Sequence, residues 1–224
     1  MKYFIFSIDD GTIYDKDIIE IFNKYNCPAT FNLNSGLGEF TWYLDEHPIY
    51  RPSLKNVKDI YKGHEIASHT LTHPYLNDLD EGQIVYEVNN DIENLENIFN
   101  EEIVSFATPF DNTCEAALQI IKNRTKIRTI RTSELDESFN LPNDLFNLKI
   151  TAMNIDRAIE LFEDFKRAPN NSLFVYAGHA YDFVLENKLD RLELLLKKIT
   201  QESDIKVVTT KEFSYLYPVI KYKK

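Results

Sequence analysis

Residues 2–25 read K-Y-F-I-F-S-I-D-D-G-T-I-Y-D-K-D-I-I-E-I-F-N-K-Y, and the three parts of this stretch decide the architecture. Residues 3–8 alternate aromatic and apolar side chains of high β propensity, the mark of a buried strand. Residues 17–25 carry Ile18, Ile19, Ile21 and Phe22, the spacing of one buried helix face. Asp9, Asp10 and Gly11 form the joint between them. Two adjacent carboxylates repel unless a cation or a proton relieves them. Asp-Asp-Gly is also good turn sequence, so the pair alone does not decide between a site and a solvated turn.

The same strand-then-helix unit recurs along the chain. Further strands are expected within 29–33, 64–68, 103–107, 126–131, 145–153, 172–177 and 205–208. Helices are expected at 54–61, 78–100, 113–123, 155–167, 188–201 and 211–217. Asp80 is a fitting N-cap for the long third one, whose Ile84, Val85, Val88, Ile92, Leu95 and Ile98 share a face. Residues 35–52, punctuated by Gly36, Gly38, Pro48 and Pro52, read as a loop. Trp42 and Tyr43 fall in it, placed to meet a sugar or to fold back on the core. Seven or eight βα units imply a parallel sheet with right-handed crossovers, closing into an α/β barrel whose site lies at the C-terminal strand ends.

That rule selects the chemistry. After the first strand come Asp9 and Asp10; after the 64–68 strand, His69 and His73 in S-H-T-L-T-H-P; after 103–107, Pro109 and Phe110; after 172–177, His179. Neutral imidazoles are common metal ligands, and two of them four residues apart can converge on one ion. Each feature alone has an ordinary structural explanation. Three of the five histidines and the acid pair all following strands does not. His64 starts its strand and belongs at the opposite end of the barrel, and His47 lies in the loop.

The 224 residues, 43% hydrophobic and 27% charged, suit one globular domain spanning 1–224. A net charge of −11 argues against a nucleic-acid partner, since phosphate backbones are held by Lys and Arg clusters. The basic end at Lys221, Lys223 and Lys224 is short and reads as solvated. Cys27 and Cys114 form neither a disulfide framework nor a CxxC motif. Residues 1–10 lack a signal peptide's apolar core, and no run approaches a membrane span, so a cytoplasmic location is expected.

Together, S-I-D-D-G at 7–11, H-T-L-T-H at 69–73, T-P-F at 108–110 and the late His179 resemble the motifs of the polysaccharide deacetylase family (NodB homology, carbohydrate esterase family 4), over nearly the whole chain. The resemblance implies a distorted (β/α)7 barrel that removes N-acetyl groups from an acetylated amino sugar or polysaccharide. It implies one divalent ion, Zn2+ first and Co2+ or Ni2+ as substitutes, on Asp10, His69 and His73. Asp9 would be the general base, His179 the general acid and the Phe110 backbone N–H an oxyanion donor. A bell-shaped pH profile would follow. For a cytoplasmic chain, a soluble, nucleotide-linked or lipid-linked precursor is the expected substrate form.

Three departures stand out. The third motif begins with Arg in the family and with Ala107 here; Arg131 or Arg128, on the next strand, is expected to replace that cation at the base. Asp111 stands for a usual Gly, and Asp tolerates left-handed backbone. The fourth motif is not recognisable, leaving Asp182 as the candidate partner of His179. Two alternatives follow: an impaired relative that binds carbohydrate or protein, and a metal-dependent amidohydrolase for a small nitrogenous substrate.

Overall fold

The structure, a computed structural model, describes residues 1–111 and 113–222, the Tyr222 side chain excepted. Lys223 and Lys224 of the basic end lie outside the described residues; Lys221 donates to the Asn143 carbonyl.

Strand β1 (Lys2–Asp9) is buried along its whole length, as an apolar strand flanked on both sides must be. The remaining elements follow in the order α1 (Asp15–Lys24), β2 (Thr30–Leu33), β3 (Phe40–Leu44), β4 (His47–Arg51), α2 (Leu54–Val57), β5 (Glu65–Ser68), α3 (Glu81–Phe99), β6 (Ser105–Ala107), α4 (Glu115–Arg124), β7 (Thr129–Leu135), β8 (Leu148–Ile150), α5 (Ile155–Phe165), β9 (Leu173–His179), α6 (Ala180–Leu185), α7 (Leu189–Thr200), β10 (Ile205–Val207) and α8 (Thr210–Tyr222). Parallel pairing runs β1-β2-β5-β6-β7-β8, and β9 pairs with β1 over Tyr3–Asp9. Thr151 and Ala152, just past β8, donate to the Val175 carbonyl of β9. These bonds close seven strands into a barrel, the (β/α)7 form expected. The distortion has a visible source: β10 pairs with Lys2–Phe4 and β2 with Ser7–Asp9. With β9 on one side of β1, both must share the other, so β10 wedges the barrel apart at its base.

The helices pack as their periodicity requires. Helix α3 buries Ile84, Val88, Ile92 and Leu95; it opens on a capping box of Asp80 with Gln83 and closes at a left-handed Asn100. Helix α5 buries Ile155, Ala158, Ile159, Leu161, Phe162 and Phe165. These meet an aromatic stack under β1, where the Phe4 and Phe174 rings lie parallel 4.4 Å apart. Each such ring contributes roughly 1.5–3 kcal/mol through burial.

Two segments differ from expectation. Residues 35–52 contain the antiparallel β3–β4 hairpin, turning at Asp45 with φ 53°. Its turn lacks the Asn-Gly or Asp-Gly signal, and the prolines and glycines around it masked an alternation at Phe40, Trp42 and Leu44. The short α6, directly after His179, was also not anticipated.

The barrel interior is polar at both ends. At the base, Glu65 accepts from Thr30 Oγ1 at 2.8 Å and from the Lys211 backbone N–H at 2.9 Å. Burial raises its carboxyl despite these bonds. His64, also at the base, accepts from the Ala29 N–H through Nδ1 at 3.2 Å, and burial lowers it to about 4. It is a structural histidine, as its place at a strand start implied. His47 is exposed on the hairpin.

Candidate active site

All the residues singled out after strands converge at the other end, around a cavity of about 610 Å³. Asp9 ends β1 with its side chain inside the barrel. Arg131 of β7, only 2% exposed, donates from Nη2 to both Asp9 oxygens and from Nε to Ser7 Oγ at 3.3 Å. The register explains this choice: Arg131 is the cross-strand neighbour of Ala107, so the cation arrives from one strand over. Arg128 points to the base instead and meets Tyr215. Asn32 of β2 completes the cradle, donating to Asp9 Oδ1 at 2.7 Å. Burial alone would raise the Asp9 carboxyl, but the Arg131 guanidinium, with His179 nearby, holds it below the ordinary value of 3.8. Asp9 is therefore an anion at neutral pH.

Asp10, His69 and His73 bring one donor atom each to within 4.8 Å of one another. His69 Nδ1 lies 2.9 Å from the Ala107 carbonyl. A carbonyl can only accept, so this contact fixes the proton on Nδ1 and leaves the Nε2 lone pair free. That lone pair faces His73 Nε2 at 3.2 Å, and Asp10 Oδ1 is 3.6 Å from His73 Nε2. Ligands about 2.0–2.1 Å from a tetrahedral ion stand about 3.3 Å apart, so the donor set fits a divalent cation. Burial lowers His69 to about 4 and depresses His73 as well, so both are neutral imidazoles. Asp91 of α3 braces this loop from behind, accepting from Ser68 Oγ at 2.5 Å and from the His69 N–H at 3.2 Å.

His179 stands on the far side, with Nε2 3.8 Å from Asp10 Oδ2. Its Nδ1 bonds Asp182 at 3.0 Å, and the same carboxylate accepts the His179 backbone N–H at 3.1 Å. Asp182, the candidate partner, is in place because α6 begins at once and brings residue 182 back under residue 179. Burial opposes charge on His179, but the Asp182 bond and the charges of Asp10 and Asp9 outweigh it and push the imidazole up to about 9.

Phe110 sits at the rim, its ring stacked 3.8 Å from Tyr75 and edge-on to His73 at 4.4 Å. Among the described residues no acceptor takes its backbone N–H. The left-handed residue here is Phe110 itself, φ 55°, not Asp111. Asp10, Thr70 and His73 are also left-handed, at 81°, 68° and 57°. Four non-glycine residues in that region at one rim store strain, and such strain gathers at functional sites. Gly11, φ 70°, follows this turn; a Cβ there would lie 2.7 Å from Leu33 Cδ2.

Of the hairpin residues at the cavity, Trp42 was singled out from the sequence as a loop aromatic; sequence reading missed Phe40 and Arg51 beside it, and Asn32, Tyr181 and Asp91. Tyr181, two residues after His179, donates to Asp10 at 3.2 Å. Asn32 carried a faint signal as an amide within an apolar strand. The others come from distant segments and had none.

Several solved structures share this fold. A family 4 acetyl xylan esterase from Clostridium thermocellum, in complex with a cobalt ion, aligns with a TM-score of 0.62 at 15% identity, over 97% of this chain and 92% of its own. A family 4 carbohydrate esterase from Streptomyces lividans, in complex with acetate, aligns at 0.60 and 13%, over 92% and 91%. A CE4 family pseudoenzyme from Bacillus anthracis aligns at 0.60 and 18%, over 95% and 65%. No curated protein sequence matches significantly. The family profile described as polysaccharide deacetylase matches residues 1–126, which carry both aspartates, both ligand-type histidines and Phe110. The chain belongs to the polysaccharide deacetylase family.

Proposed function

We propose that residues 1–224 form one catalytic domain that hydrolyses the N-acetyl group of an acetylated amino sugar. One observation carries the reading. Two groups flank the same three-donor cluster with partners of opposite charge: Asp9 is paired with the Arg131 guanidinium and His179 is bonded to the Asp182 carboxylate. Such divergence is what a base and an acid working together need.

Asp10, His69 and His73 would hold the divalent ion, zinc by default for two nitrogens and an oxygen, with cobalt or nickel as substitutes. When bound, the ion would supply acidification of water and polarisation of the acetyl carbonyl. The chain's own residues do the rest. Asp9 accepts the proton of the attacking water, and Arg131 and Asn32 keep its carboxylate aimed into the cavity. The Phe110 N–H donates to the oxygen that becomes negative, an interaction worth roughly 3 kcal/mol. His179, steadied by Asp182, gives its proton to the departing amine.

Ala107 favours the competing reading of an impaired relative, but the Arg131–Asp9 pair restores the missing cation and weighs against it. The test is the metal content of the purified protein and its acetate release from N-acetylglucosamine oligomers and from O-acetylated xylo-oligosaccharides. About one ion per chain, absent from His69→Ala, with acetate released from the amide substrate, is expected. A chain that stays empty after zinc and cobalt are offered sinks the mechanism.

A further inference from the structure

We propose that the β3–β4 hairpin closes one side of the cavity, making it a pocket for the terminal sugar of a short oligosaccharide with the Trp42 ring as its stacking platform. The inference rests on the deacetylase reading and concerns which substrates that site accepts.

Cross-strand register puts Phe40 opposite Arg51 and Trp42 opposite Ile49, so these four share one face of the hairpin. Ile49 and Arg51 are buried, Trp42 is partly buried and Phe40 is 36% exposed at the edge, whereas Thr41 and Tyr43, on the other face, are exposed. The hairpin therefore has an inner side, and Phe40, Trp42 and Arg51 line the cavity. It is fastened across the loop that follows β1: the Ile13 N–H donates to the Tyr50 carbonyl at 3.0 Å, and Tyr14 Oη to the Pro48 carbonyl at 3.5 Å.

Trp42 then reaches past β1 to α6, where its ring meets Tyr181 edge-on at 6.1 Å. Chain leaving β2 thus arches over β1 and touches the element that follows β9. That arch covers the β2-β1-β9 side of the cavity with Phe40, Trp42, Arg51 and Tyr181. On the opposite side the rim is formed by the exposed Phe110 ring stacked on the exposed Tyr75. A polymer threading through the site needs two open sides; a terminal sugar needs one. The volume agrees, since about 610 Å³ lies within the ~300–1,000 Å³ of small-molecule sites.

Arg51 makes the wall stiff. Its guanidinium carbon lies 5.3 Å from the Phe40 ring and 5.4 Å from the Trp42 ring, and Nη2 is 3.6 Å from Asp10 Oδ1. A cation over both rings, held by a buried carboxylate, fixes the platform beside the three-donor cluster. Trp42 remains half-exposed, with ring surface left for the apolar face of a sugar.

The chain has a single tryptophan, so its fluorescence reports on Trp42 alone. The experiment titrates the zinc-supplied Asp9→Asn variant, in which sugar is not consumed, with N,N′-diacetylchitobiose and with hexa-N-acetylchitohexaose. In parallel, kcat and KM are measured for the same sugars on the zinc-supplied wild type, Trp42→Ala, Trp42→Phe and Tyr43→Ala. Expected are a saturable tryptophan shift with the disaccharide, no gain in affinity or kcat/KM with the hexamer, and no attack on insoluble chitin. Trp42→Ala should raise KM about tenfold with kcat little changed. Trp42→Phe should recover most of the loss, and Tyr43→Ala, on the outer face, should match wild type. A kcat/KM that climbs with chain length, or tryptophan emission that ignores a saturating sugar, would overturn the pocket. Absence of acetate release from every sugar would overturn the deacetylase reading, while the fluorescence titration would still decide whether Trp42 contacts sugar.

Discussion

Asp9 and Glu65 occupy the two ends of one barrel interior, and their contrast separates the candidate site from the structural base. Both carboxylates are buried, and both accept hydrogen bonds from neighbouring strands. Asp9 has a guanidinium against it and is held below its ordinary value; Glu65 has only hydroxyl and amide donors and is raised above its own. Two histidines repeat the contrast, His179 being pushed up to about 9 by its Asp182 bond at the top and His64 lowered to about 4 by burial at the base, while His69 and His73 of the donor cluster stay lowered by burial. Burial acts alike on Asp9, Glu65, His179 and His64. What differs is whether an opposite charge was brought in to oppose it, and only at the top was it.

The hardest test of this contrast removes the cation. Arg131→Met leaves Asp9 buried without its partner, and acetate release should fall at least ~100-fold, the scale of losing a working general base. The fold should lose about 3–5 kcal/mol in chemical denaturation. Arg131→Lys keeps the charge without the fork and should fall between the two. If Arg131→Met retained full activity, the Asp9 pairing would have no part in function.

The second test concerns His64. Its folded value of about 4 lies below the ordinary 6.5, so the stability it contributes is present above 6.5 and is lost as pH falls towards 4. The loss should reach about 2–3 kcal/mol across that window. A His64→Gln variant followed by thermal melts should be flatter there. NMR titration of the metal-free protein should find His64 and His179 on opposite sides of the free imidazole.

The mildest test is Glu65→Gln. A raised carboxyl contributes stability that is full below its ordinary 4.5 and declines as pH rises through the folded value. The amide should change stability by less than about 1 kcal/mol at low pH and should remove the decline above it. A large loss at low pH would mean that Glu65 is charged and that the two ends are less different than their partners suggest.

The parts legible in the sequence and the parts not legible separate along the same physical line. The barrel could be read because apolar periodicity is local: residues 3–8, 84–98 and 155–165 announce their elements without help. Asp9, Asp10, His69, His73, Phe110 and His179 could be found because a parallel barrel puts strand ends together, which turns a place in the chain into a place in space. Arg131 was within reach because it follows from strand adjacency, one neighbour from Ala107. The hairpin was not, since a turn at Asp45-Glu46 has no strong signature and its contacts with Ile13, Tyr181 and Asp10 all span distant segments. Asp91 was hidden for a related reason: a lone acid on the buried side of α3 gains its meaning only when the Ser68–His69 backbone lies against it.

The wedge at the base of β1 also governs assembly. Strand β1 is synthesised before all its partners, which lie at residues 30–32, 173–179 and 205–207. Two of these three arrive only after most of the chain exists, so the barrel cannot close progressively behind the ribosome. Long-range pairing of this kind slows folding and leaves apolar edges waiting. An emerging chain carries β1, with Phe4, Ile5, Phe6 and Ile8 lacking their β9 neighbours, until β9 appears. The strand that sets the site's first two aspartates is thus made before every strand it pairs with and is among the last enclosed, which gives a chaperone a long time to act there.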